Sequence, residues 1–238
     1  MKKHLKRLNA PRVLSIKRKI KKWTIKSSPG PHPLNRSLSL GIIVRDYLGL
    51  ADSLKETKKI LTNGEVLVDG VVRKDHKFPC GLMDVITLPN LKKDFRILFD
   101  RRGKLTLVPI TSKDANWKLC RIENKKIVKG KKIQLNLHDG RNKIVEKNEY
   151  KTGDVLKLSF KNQKIEDVYK FEKGTVSIII GGSHIGEIAD IQELEFIPST
   201  KPNLAKMKGT SEFSTLQKYI FPIGKTKPVI ELPEVKIQ

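Results

Sequence analysis

Glu56-Thr57-Lys58-Lys59-Ile60-Leu61-Thr62-Asn63-Gly64-Glu65-Val66-Leu67-Val68-Asp69-Gly70-Val71-Val72 is the stretch from which the fold can be read. It begins inside a helix. Ser53 and Glu56 stand at the spacing of a capping box, in which the Ser53 hydroxyl accepts from the Glu56 amide and the Glu56 side chain reaches back. Leu54, Ile60 and Leu61 supply the inward face, and the spacing predicts a helix running to about Asn63. Gly64 offers the left-handed residue that stops it. Lys58 and Lys59 fall in the last turns, where cations suit the helix dipole. Asp69-Gly70 lies between the runs Val66-Leu67-Val68 and Val71-Val72, which predicts a type I′ hairpin.

Working outward, Leu40, Ile43, Val44, Tyr47 and Leu48 recur at helical spacing, so a first amphipathic helix precedes the stretch and ends near Gly49. Downstream, Asp84-Val85-Ile86-Thr87-Leu88 reads as a strand closed by Pro89. Two helices therefore face a small sheet, with Arg45, Lys55, Lys58, Lys59, Arg73, Lys74 and Lys77 along the outside. The run Glu56–Gly70 resembles the core of the S-four RNA-binding module, the alpha-L motif. That resemblance implies a second helix and hairpin that present cations to structured RNA. The module also occurs in pseudouridine synthases and tyrosyl-tRNA synthetases, so alone it leaves function open.

The charge is lopsided. Over 238 residues, 49 Lys or Arg stand against 25 Asp or Glu, a net of +24. So large a single-sign field repels itself unless a polyanion neutralises it. Residues 1–45 hold 13 cations and no carboxylate, leaving +11 for the other 193 residues. Residues 1–37, with Pro11, Pro29, Pro31 and Pro33, read as an extended arm that orders on RNA rather than folding alone. Its cations are Lys2, Lys3, Lys6, Arg7, Arg12, Lys17, Arg18, Lys19, Lys21, Lys22, Lys26 and Arg36. Trp23 and His32 are interleaved among them, where a ring can stack on a base. An equal reading tucks Trp23 under the first domain.

Beyond residue 90 strand-like alternation takes over, with Phe95, Ile97 and Phe99, then Leu105, Leu107 and Val108, then Ile133, Leu135 and Leu137, then Val155, Leu156 and Leu158. Short strands separated by Gly-containing turns predict a small barrel or sandwich over residues 91–170. Arg101, Arg102, Lys132 and Arg141 sit at or beside those turns as candidate RNA contacts. Residues 174–191 then place apolar runs on both sides of Gly181, Gly182, Ser183, His184 and Gly186. This resembles a KOW motif, an element of SH3-like barrels. Glu187 and Ala189 depart from the family pattern, which makes a direct phosphate contact by that turn less secure.

Other chemistries find little support. No apolar run approaches the roughly 20 residues of a spanning helix. The basic N-terminus lacks the apolar core of a secretory signal. Cys80 and Cys120 read as a reduced, buried pair, and neither has zinc-ligand neighbours in sequence. The five His are scattered, so neither a metal nor an acid–base pair is expected. A phosphate loop fails because no Gly-Lys-Ser/Thr follows the glycines. Ser183-His184 with Asp190 lacks the nucleophile-elbow pattern of a triad.

Taken in order, the pieces are a basic arm (1–37), an S-four module (38–90), a β-rich middle (91–170), a KOW barrel (171–225) and a tail (226–238), an α+β multi-domain chain. This order resembles the small-subunit ribosomal protein family called S four e, of archaeal and eukaryotic type. Further matches are His4-Leu5-Lys6-Arg7 with Ala10-Pro11, Gly30-Pro31-His32, Phe78 to Ile86, Ile220 to Lys225, and Leu232-Pro233. The family implies a non-catalytic, cytoplasmic, ribosome-bound subunit that needs no cofactor or metal. Its implied partners are small-subunit ribosomal RNA and neighbouring ribosomal proteins, not a membrane or a second copy of itself. Two other readings stay open: an RNA-modifying enzyme targeted by the S-four module, and a free KOW-type regulator.

Overall fold

Ser53 begins the Leu54–Thr62 helix with both halves of the capping box: its hydroxyl accepts from the Glu56 amide at 3.2 Å, and its own amide donates to Glu56 Oε2 at 3.5 Å. The Ser53 hydroxyl, then the amides of Asp52 and Ser53, hold the Glu56 carboxyl below the usual range. Thr57, on the buried side, ties the first turn by donating to the Ser53 carbonyl at 2.8 Å. At the other end Gly64 takes φ +82° and donates to the Leu61 carbonyl at 3.1 Å. The hairpin follows as expected, with Leu67 opposite Val72 and Val68 opposite Val71, and with positive φ at both Asp69 and Gly70, 51° and 74°.

The computed structural model describes residues 4–209 and 211–232. It is mostly β, with the helical part among the described residues confined to Leu40–Tyr47, Leu54–Thr62 and short 3-10 turns. The predicted first helix exists but is not regular. After an α turn at Leu40–Ile42 it widens into a π turn at Ile43–Tyr47, where the Leu48 amide donates to the Ile43 carbonyl at 2.9 Å. Tyr47 is held by tertiary bonds: its hydroxyl donates to the Leu105 carbonyl at 3.1 Å and accepts from the Ser15 amide at 2.9 Å. Local periodicity does not encode such partners, and here they prevail over ideal helical spacing.

Two units divide the chain. Among the described residues the first comprises 4–98 and 104–118. Its main sheet runs Val71–Val72, Leu67–Val68, Val85–Leu88, Lys93–Phe99, Leu105–Ile110, and Ser37–Ser39 pairs with Pro79–Gly81. The arm belongs to this unit rather than standing away from it. Leu5–Lys6 pairs with Trp23–Thr24, Leu14 and Ile25 are buried, and the Leu105 amide donates to the Val13 carbonyl at 2.9 Å. Too polar to build a core of its own, the arm lends its few apolar side chains to the core of the first unit.

The second unit, residues 99–103 and 119–232, contains two five-stranded antiparallel sheets. One runs Asn142–Val145, Ile133–Leu137, Trp117–Ile127, Val155–Ser159, Ile165–Tyr169, and its core gathers Cys120, Ile122, Leu135, Leu137, Leu156 and Leu158. The other runs Glu212–Leu216, Leu204–Lys208, Ile188–Glu195, Val176–Ile179, Ile220–Gly224, around Ile179, Ala189, Ile191, Ala205, Met207 and Ile220. Arg121 joins the two sheets, donating to the carbonyls of Lys218 at 2.9 Å and Ile220 at 2.8 Å. Glycine serves close approach in the loop after Val176–Ile179. A Cβ on Gly181 would fall 2.5 Å from the Tyr219 ring, and one on Gly186 2.5 Å from the Asp100 carbonyl oxygen.

Candidate nucleic-acid interface

The cations singled out from sequence fall into three groups. Lys6, Arg12, Lys17, Lys19, Lys21, Lys22, Arg36, Lys55, Lys58, Lys59, Lys74, Arg101, Arg102 and Lys132 are exposed. Lys2 and Lys3 lie outside the described residues. The helix and hairpin of the first unit therefore carry Lys55, Lys58, Lys59 and Lys74 on their solvent side, together with the exposed lysines of the arm.

The second group is half-buried and works partly within the protein. The Arg18 guanidinium donates to the carbonyls of Leu8, Ala10 and Pro11 at 3.2, 2.6 and 2.9 Å, so it shapes the arm's turn. Arg45 makes two bonds to Asp46, at 3.2 and 2.8 Å. Arg73 lies 4.6 Å over the Phe78 ring. Arg141 Nε stands 3.3 Å from Asp139, and Lys26 and Lys77 are half-covered.

Arg7 and His32 form the third group, and here burial departs from the sequence reading. Arg7 is 5% exposed and faces Asp46 at 3.7 Å. His32 is 6% exposed, with Nε2 3.0 Å from Asp84 Oδ2, and its ring lies against Gly81, where any Cβ would meet it at 2.4 Å. Covered on this scale, neither side chain is presented to an external RNA. Trp23, by contrast, is 50% exposed, with His4 at 5.6 Å and Lys22 Nζ at 5.4 Å from its ring.

His32 belongs to a buried network that sequence reasoning missed. Lys118, 1% exposed, donates to Asp69 Oδ2 at 2.6 Å and to Asp84 Oδ1 at 2.9 Å. Asp84 Oδ2 also accepts the Gly81 amide at 2.8 Å, and Asp69 Oδ1 the Val85 amide at 3.0 Å. Burial acts to raise the Asp84 carboxyl, but Lys118 and then His32 outweigh it and hold it well below the usual range. Asp69 goes the other way: burial, then the Asp84 charge, push it up against the pull of Lys118. Nearby, Arg96 is fully buried, donates to the Asp114 and Trp117 carbonyls at 2.9 and 3.1 Å, and lies 4.4 Å over the Trp117 ring. Through these bonds Asp69 at the hairpin turn, Asp84 at the start of the next strand and His32 of the arm are tied to one another by way of Lys118.

In the second unit the loop glycine Gly181 is buried, Gly182 and Ser183 are exposed, and His184 and Gly186 are half-covered. His184 stacks on Phe213 at 4.0 Å and pairs with Glu187 at 3.1 Å rather than with Asp190. Glu193 and Glu195 clamp Lys206 at 3.0 and 2.9 Å, which raises its pKa. Both cysteines are buried, and burial pushes the Cys80 thiol up. Cys120, His138 and Asp139 do converge, with ligand-type atoms within 4.8 Å of one another, across a hairpin whose sequence spacing hid them. Their bonds are those of a turn. Asp139 accepts from Cys120 at 3.6 Å and from the Arg141 amide at 3.2 Å, and His138 Nδ1 accepts the Arg121 amide at 3.2 Å. The guanidinium of Arg141 beside the carboxylate further disfavours a cation there.

With this geometry in hand, comparison with known proteins is informative. The family described as "Ribosomal family S4e" matches residues 91–165, and the "RS4NT (NUC023) domain" matches residues 1–35. The protein named "Small ribosomal subunit protein eS4" of Methanosphaera stadtmanae is 49% identical, over 97% of this chain and 95% of its own length. The protein of the same name from Archaeoglobus fulgidus is 46% identical over 96% of this chain and 97% of its own. The crystal structure of 30S ribosomal protein S4e from Thermoplasma acidophilum superposes with a TM-score of 0.70 at 34% identity, covering 80% of this chain and 96% of that one. Identity at this level over nearly the whole length places the chain: it belongs to the ribosomal S4e family.

Proposed function

We propose that this chain is a non-catalytic constituent of the small ribosomal subunit, where it binds ribosomal RNA and supports its folding during assembly and translation. The observation that carries this reading is the 49% identity, spanning 97% of the chain, to a relative named small ribosomal subunit protein eS4.

The physical mechanism is electrostatic anchoring with recognition of shape. Exposed lysines and arginines of the arm replace condensed counterions on phosphates. Residues 38–90 act as an S-four-type module that sets position, with Lys55, Lys58, Lys59 and Lys74 toward RNA phosphates and 2′-hydroxyls. Residues 171–225 serve as the KOW barrel, a reading supported by the return of Ile220–Gly224 to pair beside Val176–Ile179. Its exposed Gly182 and Ser183, with residues 91–170 and the cations Arg101, Arg102 and Lys132, supply secondary contacts, and residues 226–238 form a tail. Neighbouring ribosomal proteins complete the surroundings, and the chain acts cytoplasmically as a single ribosome-bound copy.

Sucrose-gradient sedimentation of a lysate tests this directly. Stoichiometric migration with the small subunit, surviving moderate salt, is expected. A free pool at the top of the gradient would overturn it.

A further inference from the structure

Three separate pieces of the first unit meet around a hollow of about 370 Å³. Trp23 and His4 come from the paired ends of the arm, Leu54 opens the second helix, Arg45 sits in the π turn, and His76 and Lys77 follow the hairpin. Its volume is at the lower end of the roughly 300–1,000 Å³ of ligand pockets. The walls are largely apolar, yet every ionisable side chain lining them is a cation or an imidazole, and no carboxylate is among them. Two carboxylates engage its lining residues without being among them: Asp46 is bonded to Arg45 at 2.8 Å, and Asp75 lies 3.5 Å from His76.

Trp23 carries His4 at 5.6 Å and Lys22 Nζ at 5.4 Å from its ring, yet half of its surface stays exposed beside the hollow and is open to stacking. Burial, then the charge of Lys58, hold His76 below the usual imidazole range, with Asp75 opposing and Lys77 adding to the depression. The His76 Nδ1 faces Asp75 at 3.5 Å, so the imidazole contributes a polar edge to the wall rather than a full charge. A flat π face, an imidazole edge and a cationic rim together match one chemistry, a nucleotide whose base has left its stack. An acidic peptide would use the cations and leave the indole idle.

The geometry points to this hollow as the seat of a single unpaired RNA base, stacked on Trp23, with its flanking phosphates held by Lys22, Arg45 and Lys77. The assignment rests on the RNA-binding reading above and deepens it, naming a bulged or single-stranded nucleotide as the ligand.

The test uses the full chain and a short single-stranded oligoribonucleotide carrying one 2-aminopurine, whose fluorescence falls when it stacks. Binding to the wild type should quench it. Trp23→Leu should abolish the quench and weaken binding by about tenfold, as expected for loss of one base–aromatic stack. Trp23→Phe should restore part of both. An unchanged thermal midpoint in Trp23→Leu would show that the fold is kept. Probe that binds without quenching, or quenches equally with Trp23→Leu, overturns the seat. If that happens while small-subunit ribosomal RNA still binds, only the seat fails; if the wild type binds neither RNA, the underlying reading fails. Trp23-dependent binding of an acidic peptide, with none of the oligoribonucleotide, would also overturn it.

Discussion

The two units are of similar size but hold themselves together differently. Among the described residues the first has 23 Lys and Arg against 9 Asp and Glu, a net of +14, and the second has 23 against 15, a net of +8. The more charged unit also buries more charge: Arg7, His32, Asp69, Asp84, Arg96 and Lys118, against Arg121, Asp139 and Asp154 in the second. The second relies on two apolar clusters between sheet faces. Burying ion pairs adds little net stability over apolar packing, yet breaking one is severe. The lesson is that the first unit uses its network to select one arrangement of arm and hairpin, where the second relies on packing.

The strongest way to break that contrast is Lys118→Met. It leaves two carboxylates buried without their cation, and a loss of about 3–5 kcal/mol is expected. In the wild type, the depressed Asp84 carboxyl contributes stability that is in place above the ordinary carboxylate range and is lost as pH falls through its lowered folded value. Without Lys118 the folded-state carboxyls rise, so the variant's deficit should be largest near pH 7 and shrink toward pH 5. Denaturant melts at the two pH values check this; a pH-independent deficit would argue that only packing was lost.

Ile191→Ala supplies the counterpart in the second unit. Its side chain is fully buried, and truncation should cost about 2–4 kcal/mol with the same deficit at both pH values. For binding, Lys58→Glu with Lys59→Glu should weaken ribosomal RNA affinity by about tenfold or more and flatten its salt dependence. Lys131→Glu with Lys132→Glu in the second unit should do less, as read by filter binding across a salt series. Equal effects would erase the functional side of the comparison. The smallest change is Ser53→Ala, which removes the helix cap and should cost about 1 kcal/mol in thermal or denaturant melts.

What could be read from sequence follows the range of the interactions. The Ser53–Glu56 cap, the stop at Gly64 and the Asp69-Gly70 turn are encoded within a few residues, and all three stand where their spacing puts them. The strands after residue 90 were legible as strands, but not the pairing of Lys93–Phe99 into the hairpin's sheet. Lys118 gave no local sign, because a lysine is by default an exposed residue and its partners lie 34 and 49 positions away. His32 was misleading for the same reason: set among prolines and cations it looks like a surface ring, and only Asp84 and the bare face of Gly81 explain its burial. Trp23 is the converse case, since its exposure left the stacking reading standing.

The long reach of Lys118 has a consequence for how the chain is made. Synthesis proceeds from the N-terminus at about 5–20 residues per second. Asp84 precedes Lys118 by 34 residues, an interval of roughly 2–7 s at that pace. During it the nascent chain already holds the arm, both carboxylates and the hairpin sequence, but not the cation that joins them. Only once position 118 has emerged can one lysine tie Asp69 at the hairpin to Asp84, so a fragment ending before Lys118 carries both carboxylates without the cation that links them.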